Sequence, residues 1–238
     1  MLGPLANSAA LILGGLGGAV LGRRLPRRVR ETLPLTFGII AAAIGTTLMN
    51  KVHALPAVAL ALILGSLAGE LAHLERGLEK AIGWAQRQAE RLMPGEKGNP
   101  RVEGFVGKFV TLLVLFCASG MGIFGATQEG MTGDAHILLA KSILDLFTAL
   151  IFAAELGPAV ALICLPQLLV QGALFLGAGL LVPLATPEML ADFSACGGVI
   201  MMATGLRICG IKFFPIVNML PALFLAMPCS LLWARCFG

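Results

Sequence analysis

The sequence is poor in charge. Asp, Glu, Lys and Arg make up 13% of its 238 residues, against about 25% in soluble domains. That deficit excludes an ordinary water-soluble globular protein. With 58% hydrophobic residues and a mean hydropathy of +0.90, it points to an all-α polytopic membrane protein. There is no tyrosine, and none of the three histidines has an HExxH-type neighbourhood. The six cysteines, Cys117, Cys164, Cys196, Cys209, Cys229 and Cys236, show no CxxC or His-rich spacing. They read as small apolar packing residues, and no structural metal site is expected. No nucleophile–base pair is legible either, so neither an enzyme nor a cofactor is expected. The net charge of +4 is no argument for a nucleic-acid partner in such a chain. No basic region precedes the first apolar run, and "RRLPRR" follows it. A cleaved signal peptide has the reverse order, so 4–21 is read as a retained helix.

Long apolar runs are what the sequence has. A spanning helix needs about 20 largely apolar residues, and eight stretches qualify: 4–22, 33–50, 55–71, 105–124, 137–156, 159–182, 193–209 and 214–233. The third is short before Glu70. Seven spans result if one segment is re-entrant or interfacial. One transmembrane domain, 1–238, is expected, with a cytoplasmic amphipathic helix and loop at 74–104. In that helix Leu74, Leu78, Ile82, Ala85, Ala89 and Leu92 form an apolar stripe. Glu79, Lys80, Arg87 and Glu90 lie opposite, and "MPGEKGNP" ends it. Lys and Arg are enriched in cytoplasmic loops. Eight spans with both termini outside put the basic clusters at 23–30, 76–108 and 207–212 inside. Lys51, Lys141 and Arg235 stay on or near the outer side.

An internal repeat is suggested by "FGIIAAAIGTTL" and "GGVIMMATGLRI". The offset that places Gly38 on Gly198 also places Gly45 on Gly205, Gly17 on Gly177 and Asn7 on Gln167. "LPA" recurs at 55–57 and 220–222. Spans one to three would then recur, inverted, as spans six to eight, an arrangement that puts a transporter's site near the midplane. The plainer alternative is that Gly- and Ala-rich helices resemble one another. Gly14, Gly18 and Gly22 share one helix face, as do Gly65 and Gly69, and such faces let helices approach closely in lipid. Pro166, Pro215, Pro221 and Pro228 mark expected helix breaks beside Gln167 and Asn218.

The segment "HILLAKSILDLFTALIFAAELG" carries two charges inside an apolar helix. At about 1.5 Å per residue, Asp145 lies roughly 2 Å from the centre of 137–156 and Lys141 roughly 8 Å. Each costs about 2.5–3.5 kcal/mol on insertion scales, whereas a Leu, Ile or Phe returns about 0.3–0.6 kcal/mol. Their i, i+4 spacing lets them pair. Lys141 has a stem long enough to reach outward; Asp145 does not, so it needs a partner, a proton or water. Intramembrane ionisable residues are candidates for function, and a structural pair is the competing reading. Glu155 is expected to be interfacial, and Asp134 to cap the helix.

"GDAHILLAKSILDLFTALIFAAELG", "GPLANSAALILGGLGGAVLG" and "LGSLAGE" resemble the YqgA- or YdfK-like bacterial membrane proteins, domain of unknown function 554. The likeness covers nearly the whole chain. The family's motif residues fall on Asn7, Glu70, Gly133, Asp134, Lys141, Ser142 and Asp145. The resemblance implies a multi-pass protein of the bacterial inner membrane and supplies no substrate.

The expectation is therefore a small transporter or channel-like protein for an ion or small polar solute. Asp145 would bind a cation or proton, with Lys141 as internal counter-charge or anion contact. Asn7, Gln167 and Asn218 would line the path, with Ser142 and Glu70 as further candidates. Lipid surrounds it, and a homodimer is expected. The alternative is a structural or regulatory membrane protein acting through oligomer or partner contacts, with Lys141–Asp145 as a buried structural pair.

Overall fold

Apolar runs punctuated by glycine and proline fold into helices, and the described residues contain no strand. The computed structural model describes residues 1–21, 26–91, 100–180, 183 and 185–237. The helices are α1 (Leu2–Leu21), α2 (Arg27–Met49), α3 (Leu55–Leu71), α4 (Leu74–Arg91), α5 (Pro100–Cys117) and α6 (Gly120–Thr132). There follow α7 (His136–Leu156), a 3-10 turn (Gly157–Ile163), α8 (Cys164–Gly179), α9 (Pro187–Ile208), α10 (Ile216–Met219) and α11 (Pro221–Phe237). Gly22, Arg23, Arg24, Leu92, Lys97 and the 93–99 part of the stretch expected to end α4 lie outside the described residues.

Glycine ends two helices by adopting a backbone that other residues resist. Gly133 closes α6 at φ +75°, its N–H bonded to the Glu129 carbonyl at 2.8 Å. Gly157 closes α7 at φ +68°. The prolines sit differently from expectation. Pro166 occupies the first turn of α8 rather than the middle of a span, where a missing N–H leaves no bond unmade. Pro221 opens α11, Pro215 precedes α10, and Pro228 alone of the four lies in a helix interior.

Among the described residues six helical segments are long and apolar enough to cross a membrane, or seven if α3 and the first part of α4 form one bent span. One of the six is the stretch of 44 residues from His136 to Gly179. Its two legs run in opposite directions beside α1. Gly3 faces Leu138, Gly14 faces Ala149 and Gly18 faces Ala153, so α7 is parallel to α1. Gly15 meets Ala161 and Met1 meets Gly172, so the second leg is antiparallel. Two of the expected spans thus fall within one helical stretch that doubles back at Gly157–Ile163.

The remaining long helices pair at glycines. A Cβ on Gly45 would stand 2.6 Å from the Gly198 carbonyl oxygen, and one on Gly198 would stand 2.7 Å from that of Gly45. Gly38 and Gly205 face each other's carbonyls in the same reciprocal way. This antiparallel α2–α9 contact is backbone against backbone, which only glycine permits. Gly65 brings α3 against Ala222 at the start of α11, and Gly69 brings it against Asn218 of α10. Large apolar side chains on the outer faces, among them Leu13, Ile39, Ile63, Leu169 and Phe224, are exposed. An apolar surface spread over so many helices suits lipid and would associate in water. The chain is a multi-pass membrane protein.

The α3–α4 junction bends by 45°, with His73 at φ 51°. The fold's other fixed point is Asp192, which is fully buried. Its Oδ1 accepts the N–H groups of His53 (2.9 Å) and Ala54 (2.8 Å) at the start of α3, and its Oδ2 accepts the Ser230 hydroxyl of α11 (2.6 Å). One carboxylate therefore ties α3, α9 and α11 together. Asp192→Ala would strand three donors, each costing about 1–3 kcal/mol when buried. A fall in the SDS unfolding midpoint, larger than for Ser230→Ala, is the expected result.

Candidate functional site

The charged pair sits where the i, i+4 spacing puts it. Lys141 donates to Asp145 Oδ2 along one face of α7. Lys141 is 2% exposed and Asp145 8%. The lysine does not reach outward; its stem folds against Gly122 of α6, and its ammonium stands 5.7 Å from the centre of the Phe116 ring. Gln167 of α8 donates to the same Asp145 oxygen at 3.0 Å. Ser142, one residue from Lys141, spends its hydroxyl on the Leu138 carbonyl (2.7 Å) of its own helix.

Beside the pair lie amides without partners. Both polar atoms of Asn7, both of Gln171 and Oε1 of Gln167 are buried and unbonded. The register of α1 against α7, Gly3 facing Leu138 and Gly14 facing Ala149, puts Asn7 level with Ser142. The register against α8, with Met1 at Gly172 and Gly15 at Ala161, puts it level with Gln167. Gln167 and Gln171 are four apart and share a face of α8. Buried polar groups are nearly always bonded, and an unbonded one costs about 1–3 kcal/mol. Three side chains with unbonded polar atoms, two of them a helical turn apart on α8, thus lie near the ion pair.

The pair also borders a space. A cavity of about 300 Å³ is lined by Lys141, Asp145 and Thr148 of α7, and reaches Arg30 and Pro34 of α2. Ser119 and Met121, at the start of α6, also line it. Here the α5–α6 helix is interrupted inside its apolar stretch, and the Ser119 hydroxyl accepts the Gly122 N–H at 3.4 Å. Asp145 thus lines the cavity and also accepts from one of the enclosed amides, Gln167.

Glu70 and Asn218 belong elsewhere. Asn218 Nδ2 donates to Glu70 at 2.5 Å, and its Oδ1 accepts the Glu75 N–H at 2.8 Å. Glu75 in turn accepts from Arg207 (2.8 Å) and from the Val217 N–H (2.9 Å). This network clamps the bent α3–α4 junction to the end of α9 and to α10. Of the expected path residues, the structure brings together Asp145, Lys141, Ser142, Asn7 and Gln167, and places Glu70 and Asn218 in the clamp.

Asp134 precedes α7, but the capping position is Ala135 and no side chain caps the helix; Asp134 instead accepts the His136 N–H at 2.9 Å. That backbone bond, helped by the His136 ring, holds its carboxyl below the usual carboxylate range. Glu155 pairs with Lys108 on the exposed surface at 2.7 Å. Several buried polar residues carried no signal strong enough to single them out. Gln171 was legible as a second glutamine four residues after Gln167. Asp192 lies one residue before the expected seventh span. Glu129, buried and bonded to the Gly3 N–H at 3.1 Å, lies beyond the expected end of the fourth. Among the described residues no group of three or more His, Cys, Asp or Glu side chains could hold a metal ion.

A family model described as "Protein of unknown function (DUF554)" matches residues 2–231. The chain is 51% identical over 238 residues, the full length of both, to "Uncharacterized protein YqgA" of Escherichia coli (strain K12). It is 26% identical over 231 residues to "Uncharacterized membrane protein YdfK" of Bacillus subtilis (strain 168), covering 94% of this chain and 93% of that one. No solved structure matches it.

Proposed function

The chain belongs to the DUF554 family of proteins of unknown function, and for it we propose passage of a small ion or polar solute across the bacterial inner membrane, by way of Asp145. The observation that carries this reading is that Asp145 lines the 300 Å³ cavity and is bonded by Gln167, one of three buried amide side chains with unpartnered polar atoms. A structural ion pair needs neither the cavity nor the unfilled hydrogen-bonding groups. Lys141 holds the carboxylate when no guest does, and Gln167 orients it.

The reciprocal α2–α9 contact supports an inverted 3+3 relation between α1–α3 and α8, α9, α11. Exchanging Gly38 with Gly198 and Gly45 with Gly205 turns each close contact into the other, as a two-fold axis through the crossing would. The basic residues Arg28, Arg30, Arg76, Lys80, Arg207 and Lys212 support a cytoplasmic placement for the end of the bundle where α1 and α7 finish. Both termini then face out. Association as a homodimer is part of the same proposal.

Reconstitution tests it. Asp145→Asn keeps an oxygen for Lys141 and Gln167 and removes the charge. The variant is expected to elute from a sizing column like the wild type. In liposomes it should lose the flux that imposed pH or sodium gradients drive, read with an internal pH- or sodium-sensitive dye. If the only change is a lost oligomer, with wild-type liposomes no leakier than empty ones, the structural role for Lys141–Asp145 replaces this reading.

A further inference from the structure

The cavity beside Lys141 has walls of one character and an end of another. Phe37, Leu144, Ile151 and Phe152 wall it, with Arg30 at one end and the Lys141–Asp145 pair lining it. Its charge balance favours anions: two cationic side chains against one carboxylate. A third positive element is the start of α6, a helix of 13 residues whose first turn lines the same space through Ser119 and Met121. The first N–H groups of a helix have no partner within it, and the dipole adds about half a positive charge there. Gln171 lies outside the cavity's lining, close to the lysine. It is 1% exposed with both polar atoms unbonded. Its Nε2 lies 3.4 Å from where a Gly122 Cβ would stand, and the Lys141 Cε lies 2.9 Å from the same point. Lysine and helix start meet at the cavity. Broken helices in membrane proteins hold anionic groups at such ends.

We propose that this cavity binds a small organic anion, a carboxylate on an apolar body, and that the anion takes over Lys141 while Asp145 accepts a proton. The volume, at the small end of the about 300–1,000 Å³ usual for ligand pockets, sets the size, and the apolar walls select against bare inorganic ions. The inference rests on the passage reading and names its substrate class. The exchange balances: the ammonium changes partner, one proton from water adds to Asp145, and the carboxylate enters with its charge. The groups facing Asp145 from the packed elements are Lys141 on its own helix, Arg30 from α2 and Cys117 from α5. Asn7 from α1, Gln167 from α8 and Thr204 from α9 are neutral.

Calorimetric titration of the purified protein in detergent with sodium butyrate tests this, with butyramide and tetramethylammonium chloride as controls. The expected result is saturable butyrate binding that tightens about tenfold per unit fall in pH, the slope for one linked proton. The heat should vary with buffer ionisation as uptake of one proton requires, and the controls should not bind. Lys141→Gln should abolish binding. Asp145→Asn, which resembles the protonated carboxyl, should bind butyrate with no pH slope, so the proposal stays testable if the lysine variant does not fold. Absence of saturable butyrate binding, or equal binding of butyramide, overturns it. Asp145-dependent sodium flux without butyrate binding removes this inference and leaves the passage reading. Butyrate binding without flux of any solute does the reverse.

Discussion

Asp145→Ala is expected to destabilise the folded protein by about 3–5 kcal/mol, the usual cost of removing one partner from a buried ion pair. The cost arises at Lys141 rather than at the deleted side chain. Lys141 is 2% exposed and would be left buried with no carboxylate beside it, so that its charge is either borne unpaired or given up. The Phe116 ring, at 5.7 Å, offers a cation–π attraction of about 0.5–2 kcal/mol, which does not offset the loss. The double variant Lys141→Met, Asp145→Leu removes both charges and fills similar volume, a change that is often neutral or stabilising. Its SDS unfolding midpoint, followed by circular dichroism, should match or exceed that of the wild type while flux in liposomes is lost. Such a result would show that the charges are kept for something other than stability. A double variant as unstable as Asp145→Ala would show instead that the fold depends on the pair.

The second large effect lies at adjacent residues of α1. A Cβ on Gly18 would overlap the Leu150 carbonyl oxygen and stand 2.7 Å from the Leu150 Cα and 2.8 Å from the Ala153 Cβ. A Cβ on Gly17 would meet nothing within 4 Å. Gly18→Ala must push α1 away from α7, and because the obstacle is backbone the loss should reach or pass the upper end of the about 1–3 kcal/mol typical of overpacking. Gly17→Ala should be neutral or improve stability by up to about 1 kcal/mol through helix propensity. The two are to be compared by the fraction of protein that elutes folded after heating. Similar losses for both would mean that α1 does not lie on α7 as described.

Legibility in the sequence followed spacing. Lys141 and Asp145 could be paired from their separation alone, because four residues is one helical turn and no tertiary knowledge is needed. Gln167 could be picked out, though for a reason that does not hold: it was linked to a proline break, whereas Pro166 sits in a first turn. What places Gln167 at Asp145 is the reversal at Gly157–Ile163, which folds α8 back along α1. Asn218 and Glu70 are 148 residues apart, and polarity alone could not tell their clamp from the Asp145 pocket. Asp192 shows the limit most clearly. It bonds the backbone of His53 and Ala54, and a donor on the main chain leaves no trace in residue identity.

The pairing of α1 with α7, α2 with α9 and α3 with α11 has a consequence in time. None of the first three helices has its main partner next to it in the chain. Gly18 meets Leu150 roughly 130 residues later, which at about 5–20 residues per second is roughly 7–26 s of synthesis. The N–H groups at the start of α3 wait for a carboxylate 139 residues downstream. During that interval the nascent helices stand in the bilayer with their glycine faces against lipid alone. A ribosome stalled before codon 136 would leave three inserted helices with no proper neighbour, and membrane quality control would meet the protein most often in that half-made form.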